Sequence, residues 1–522
     1  MTEIFRCGND APVVRISGGQ LRGFWWEGVF HFLGVRYGTA ARFCAPQPET
    51  PWSGVRDACT TGDACLTAPR AVPRRDRVAL LTREMICYQS EDCLNLNVWT
   101  PSLDPAKKRP VIVWLPGGGF HAGAVGDSAA ADGKNLCAFG DVVVVAVNHR
   151  ISILGFLDLA LFDPVRYDNA ANRGREDLVL ALRWIRSEIS HFGGDPDNVT
   201  LMGHSGGACK IWALMQTPAA DGLYHKCVME SGFSGNMVFP KKEHNGYALV
   251  HAMLQRLGWE DQDVHRLETM PYDVLLKTYM AVYAEMAAAY RQDGRYRYVG
   301  KTVLPNHYFA GYPFDYGVRI ESSCIPVIIG SSLGESGWNL SFPEGKYQQT
   351  EAEQLTAIQP LFGRRTEEIA ALWRAAYPGK SLLDLTIYET MFRTQILRWS
   401  QLRDQLGAPC WQYVFALESP MNGGLPAHHG AGVPYWLHNA ANMPASYTPG
   451  CSDQLEEQMS TALVQFLRTG DPNHRALPCW RPYTAARPET MLFDRDVRTA
   501  LEHDAALQQA VRECRPWRQF PI

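Results

Sequence analysis

A serine set among glycines, Gly203-His204-Ser205-Gly206-Gly207, is the first place where residue types and spacing in this chain could do covalent chemistry. A serine hydroxyl is a weak nucleophile. It needs a base for its proton and donors for the charge that develops on the attacked carbonyl. The pentapeptide alone is common, and a serine helix cap in a glycine-rich turn also produces it. Its context is more telling. A β-forming run, Val199 to Met202, leads in, and a helical pattern of Ala208, Ile211, Trp212, Leu214 and Met215 leads out until Pro218. A strand that turns straight into a helix through a serine strains that serine's backbone, and flanking side chains would clash, hence the glycines. The helix amino terminus there favours negative charge. The chemistry so predicted is acyl transfer through Ser205.

The other parts of such a site can be sought in chain order. Directly after the β run Val111–Leu115 stands Pro116-Gly117-Gly118-Gly119-Phe120. Three glycines let backbone N–H groups converge on one point, as a tetrahedral oxyanion requires, and the residue after the nucleophile, Gly206, adds another. Glu335 lies just past the apolar run Val327–Ile329, in the Gly/Ser-rich segment Gly330 to Gly337. A carboxylate on a loop at a strand's carboxyl end is well placed to orient an imidazole. Five histidines follow it: His428, His429, His438, His474 and His503. His429 precedes Gly430 in a loop after the run Trp411–Phe415, but His428 fits equally by spacing, and the residues alone leave the two open.

These residues need elements to hold them. Short apolar runs at Val111–Leu115, Val142–Val147, Val199–Met202, Val228–Glu230, Val327–Ile329 and Trp411–Phe415 read as strands buried on both faces of a mostly parallel sheet. Between them lie segments of helical period. Clearest is Arg175 to Phe192, where Leu178, Leu182, Ile185, Ile189 and Phe192 form one stripe, followed by Gly193-Gly194 as a stop and Asp195-Pro196 as a turn. The alternation predicts an α/β fold with helices on both faces. Residues Lys241 to Arg297 read as a helical, cap-like insertion near the site, within one domain spanning 1–522.

Composition excludes several function classes. The chain has 522 residues, 46% of them hydrophobic, with 50 basic and 54 acidic side chains interspersed and a formal charge of −4. No basic stripe for nucleic acid or polybasic membrane patch is present. The partner is expected to be a small molecule that is not strongly charged; oligomeric state is not legible. No apolar run approaches a membrane span, and the amino-terminal MTEIFRCGNDAPVV lacks the apolar stretch of a signal peptide. Fourteen cysteines, several inside apolar runs and none in a CxxC pair, read as buried thiols of a reducing cytoplasm rather than disulfides or a zinc site. Neither a cofactor nor a metal is expected.

Beyond the serine, whole segments resemble the type B carboxylesterases, the family of cholinesterases and bacterial para-nitrobenzyl esterases. Phe32 to Tyr37 (FLGVRY) is similar to the family's F-x-G-I-P-Y, and Trp52 to Ala58 reads WSGVRDA. Ser90 to Pro101 (SEDCLNLNVWTP) is nearly its second signature. NHRISILGF from Asn148, NRGRED from Asn172, FGGDPDNVT from Phe192 and TGDPN from Thr469 follow in order. The resemblance covers about Val13 to Asp494 and implies an α/β-hydrolase fold and a serine carboxylesterase with the triad Ser205, Glu335 and His429. By it, Gly118, Gly119 and Gly206 supply the oxyanion hole, and Ser231 supports the acid–histidine pair. It also maps Cys65 and Cys93 onto a disulfide of secreted members, which the amino terminus argues against.

Four positions depart from the family: His204 for the usual glutamate before the nucleophile, Gly206 for alanine after it, Pro116 for the histidine that opens the oxyanion loop, and Gly432 for the glutamate of the histidine loop, which reads HGAGVPY from His429 to Tyr435. Two of these remove a carboxylate, which favours a neutral ester over a cationic one. An acyltransferase or an amide or carbamate hydrolase would use the same triad. A non-catalytic binding protein on this fold would be expected to have lost triad members, and this chain keeps all three. Substrate pockets are expected around Phe120, Phe233 and Lys241–Arg297.

Overall fold

Strands that are apolar at every position need cover on both faces, and the chain supplies it. A computed structural model of the protein describes residues 4–68, 78–83, 85–232, 246–292, 305–335 and 345–514. Among them twelve strands form one sheet. In chain order they are β1 (Phe5–Arg6), β2 (Phe24–Trp26), β3 (Val29–Arg36), β4 (Asn95–Thr100), β5 (Arg109–Leu115), β6 (Val143–Val147), β7 (Gly194–His204), β8 (Lys226–Glu230), β9 (Val327–Ser332), β10 (Cys410–Phe415), β11 (Glu489–Phe493) and β12 (Arg498–Leu501). Across the sheet they run β1-β2-β3-β4-β6-β5-β7-β8-β9-β10-β11-β12. From β6 through β11 all neighbours are parallel. Antiparallel strands extend both edges.

The order matters for function. From β5 the chain crosses to β6 on one side and then to β7 on the other, so the connections diverge at the carboxyl ends of β5 and β7. In open α/β sheets that divergence opens the crevice where ligands bind.

Packing explains the apolar runs. Along β5, Val111, Val113 and Leu115 belong to one core cluster, and Ile112 and Trp114 to the other. Helix α1 (Arg173–Glu188) covers the first face with Leu178, Leu182 and Ile185, and α2 (Gly206–Met215) adds Ala208 and Ile211. Burying a side chain such as Leu182 contributes about 1.5–3 kcal/mol. Helices α3 (Gly246–Arg256) and α4 (Tyr272–Gln292), joined through a 3-10 helix at Asp261–Glu268, lie in the expected insertion. Their Leu249, Val250 and Leu275 are continuous with that cluster. Helix α5 (Met391–Gln405) contributes Ile396 and Trp399 to it, while α6 (Cys451–Thr469) covers the opposite face with Met459, Leu463 and Phe466.

All six predicted strands are present, most of them longer than predicted. The helical stripe ends as expected, with Ile189–Phe192 as a 3-10 turn and Gly193 left-handed at φ 74°. The turn at Asp195-Pro196 is a correction. Both residues lie in the first part of β7, where the register against β5 shifts between Arg109 and Val111. That irregularity accommodates a proline that has no N–H to give the ladder.

Candidate active site

Ser205 joins the last residue of β7 to the first of α2. Its backbone sits at φ 56°, ψ −122°, a conformation that costs on the order of 1–3 kcal/mol for a residue with a side chain. Neighbouring structure holds it there: its N–H donates to Glu230 O at 2.8 Å, and its carbonyl accepts from Cys209 N at 3.0 Å. Gly207 must be glycine, because a β-carbon there would collide with the carbonyl oxygen of Leu115 on β5. The side chain thus stands at the carboxyl edge of the sheet, with the free N–H groups of a helix start beside it.

The segment Pro116–Phe120 leaves β5 at the same edge. Gly118 (φ 86°) makes the turn, its carbonyl accepting from His121 N and Ala122 N at 3.0 Å each, and a β-carbon on it would strike Ala122 O. Gly119 lies against the elbow. A β-carbon on Gly206 would fall 2.5 Å from Gly119 N. The close approach brings residues from two loops together beside the nucleophile, and it leaves no space for the alanine that the family usually carries after its serine.

On the other side of the serine, Glu335 follows β9 and is 1% exposed. A carboxylate so buried stays ionised only when hydrogen bonds replace its water. Its Oε1 accepts from Ser231 Oγ at 2.6 Å and from Ser332 N at 2.7 Å, and its Oε2 pairs with His429 Nδ1. With Nδ1 so occupied, His429 keeps Nε2 for proton transfer. Phe392, at the start of α5, stacks on the imidazole with centroids 5.6 Å apart, and His204 lies against it at 4.3 Å. His428 is 4% exposed, and burial followed by the neighbouring His429 depresses its pKa to about 4. Geometry therefore separates two histidines that spacing could not.

Burial, with smaller effects from His429 and His428, holds the His204 pKa well below the ordinary range, so its ring is neutral. Its Nε2 is buried without a hydrogen-bond partner. The residue places an uncharged ring, tilted 51°, against His429.

Sequence reasoning missed the carboxyl groups around Glu335. Burial first, and then the Glu335 charge, push Glu230 up to about 8. Its Oε2 accepts from Tyr413 Oη at 3.2 Å, which in turn accepts from Trp436 Nε1 at 3.2 Å. Glu389 is raised for the same two reasons and accepts from the N–H groups of Phe392 and Arg393. Both neighbours of Glu335 are therefore biased toward their protonated forms. A β-carbon on Gly432 would lie 3.0 Å from both Glu230 carboxyl oxygens. The carboxylate absent at 432 is thus replaced in space by Glu230, in a protonated and uncharged form. No motif marked Glu389 or Phe392. Glu230 was visible only as the neighbour of Ser231.

Phe120 flanks the oxyanion loop, with its ring 5.0 Å from that of Phe156. Phe233 lies outside the described residues, as do 241–245 and 293–297 of the expected insertion. Cys65 and Cys93 are both free thiols. Among the described residues no helix is long and apolar enough to cross a membrane.

Comparison with known proteins adds an independent line. Residues 10–511 match the model of the carboxylesterase family. The chain is 29% identical over 500 residues to the para-nitrobenzyl esterase of Bacillus subtilis (strain 168), covering 94% of this chain and 96% of that protein. It is 37% identical to a protein of Anas platyrhynchos named fatty acyl-CoA hydrolase precursor, medium chain, covering 98% and 92%. Among solved structures, an esterase from Clostridium hathewayi, described as able to hydrolyse aliphatic aromatic polyesters, superposes with a TM-score of 0.90 at 38% identity, over 97% of this chain and 99% of that one.

Proposed function

The chain belongs to the carboxylesterase family and hydrolyses carboxylic esters, and on that premise we propose how its residues divide the work. Ser205 Oγ attacks the ester carbonyl while His429 Nε2 takes its proton, and Glu335 stabilises the imidazolium through Nδ1. The oxyanion accepts from the amides of Gly118, Gly119 and Gly206. Collapse expels the alcohol, which takes the proton from His429 and leaves the acyl group on Ser205. Water then repeats the steps and returns the acid and the free serine. The observation that carries this reading is the chain of contacts from Ser231 through Glu335 to His429, set beside a strained serine.

The substrate in this proposal is a small neutral ester. Among the described side chains around the serine, burial favours the uncharged forms of His204 and Glu230, and the Glu335 carboxyl is engaged by its own partners. Aryl esters and, by likeness to the Clostridium hathewayi enzyme, aliphatic aromatic polyesters are the substrates to try first. We read the whole chain as one domain in a reducing compartment, in keeping with its free thiols.

The test is a fluorophosphonate probe with mass mapping of the label, with Ser205→Ala as control. Label on Ser205 and turnover of short-chain aryl esters are expected, and folded protein without label overturns the nucleophile. Substituting His428 and His429 separately by alanine checks the base. Only His429→Ala should abolish turnover.

A further inference from the structure

In the middle of α2, among Ala208, Ile211 and Trp212, the chain carries Lys210, which is 2% exposed. An ammonium withdrawn from water needs compensation, and such a residue in an apolar helix calls for a reason. Its Nζ donates to Pro116 O at 2.9 Å and lies 5.8 Å from the centroid of the Phe120 ring. Pro116 and Phe120 are the two ends of the oxyanion loop. Among the described residues no carboxylate forms an ion pair with it. The titratable groups around it are Cys209 on its own helix, Asp127 beyond the oxyanion loop, Cys65, and His149 just past β6, whose own pKa is held far down by burial and then by Lys210.

We propose that Lys210 is a positioning residue of the oxyanion hole: its ammonium grips the Pro116 carbonyl, sets the amides of residues 117–119, and contributes positive charge to the site where the oxyanion forms. The inference rests on the reading of that loop given above. A carbonyl that accepts a charge-assisted bond has its peptide polarised, and the N–H of that peptide belongs to Gly117, the first glycine of the loop. The departure from the family at the start of the loop thereby acquires a role. Proline has no donor of its own there, but its carbonyl remains to be held.

Burial brings the Lys210 ammonium down to about 7, so the free enzyme loses this charge near neutrality, and a forming oxyanion draws the proton back. The protonated form is the helpful one, so its contribution is complete at low pH and disappears as pH rises through that value.

The experiment uses Lys210→Met and Lys210→Gln, each titrated with a fluorophosphonate to completion so that rates refer to competent Ser205. Expected are a loss of about tenfold to hundredfold in kcat with KM changed by less than about threefold, matching the removal of part of an oxyanion contact. The affinity for an aryl trifluoromethyl ketone, which adds to the serine and forms an oxyanion, should fall by the same factor. The unsubstituted enzyme should show an alkaline decline of kcat/KM, and that decline should vanish in both variants. Full labelling with kcat and ketone affinity within about twofold of the parent overturns the proposal. Absence of label on Ser205 in the parent enzyme overturns the nucleophile instead. Should neither variant fold, the parent decides alone. Its ketone affinity must decline above a pH of about 7, and a flat profile sinks the idea.

Discussion

Ser205 and the glycine loop beside it are held chiefly by the main chain, with Lys210 added at Pro116, whereas Glu335 and His429 are held by side chains. On the serine's side the determinants are a positive φ, glycines with no room for a β-carbon, and backbone bonds to adjacent strands. On the acid's side they are three neighbouring buried carboxyls, two of them with raised pKa, a serine hydroxyl, and aromatic rings packed on an imidazole. Lys210 apart, the first kind of support is insensitive to pH and intolerant of added volume. The second tolerates changes of shape but depends on which carboxyl keeps its proton.

Three substitutions probe that contrast. Glu335→Gln leaves the shape intact and removes the charge. It should lower kcat by about 10³–10⁴-fold, with Ser205 still slowly labelled, because the imidazolium loses its anion and its tautomer control. A loss under about tenfold would show that charge does not govern this side. Gly206→Ala adds volume and no charge. Since the new methyl would lie 2.5 Å from Gly119 N, the loop must move, and kcat should fall about tenfold to hundredfold at near-constant KM, as for a displaced oxyanion donor. An unchanged kcat would mean that the main-chain side is softer than its packing implies.

The smallest effect is expected at Glu230→Gln and is read in stability. Between the ordinary carboxyl value of 4.5 and about 8 the folded protein holds a proton on Glu230 that the unfolded chain releases. The native state binds more protons in that window, so stability falls as pH rises through it. Glutamine carries no such proton. The variant's Tm should decline less steeply across the window than the parent's, and parallel curves would show that Glu230 is ionised in the fold.

The same contrast explains what was legible in the sequence. The strands around Val111–Leu115 and Val199–Met202, the elbow and the glycine loop are local patterns, because backbone geometry is set by residues adjacent in the chain. The choice between His428 and His429 was not local. It turns on Glu335, 94 positions from His429, whose contact with His429 supports the choice proposed here. Glu230 and Glu389 stayed hidden because nothing nearby in sequence announces that a glutamate will be buried beside another. The turn expected at Asp195-Pro196 failed for a related reason. The strand pairs with β5 at Gly194 and again from Val199, so the local preference is absorbed in the irregular stretch between them rather than ending the strand.

One feature of the sheet reaches further. Ser205 N–H donates to Glu230 O, and Ser231 N–H donates to Gly330 O, both at 2.8 Å. These two bonds form a transverse row from the nucleophile, across β8, to the strand that leads into Glu335. The span between the nucleophile and the acid is therefore counted in whole strand spacings. Two steps of about 4.8 Å separate β7 from β9. A distance built this way cannot drift by fractions of an ångström as loops vary. Only the imidazole that bridges it must be adjusted, and the Phe392 ring stacked on it, with His204 tilted against it, limits how far it can turn.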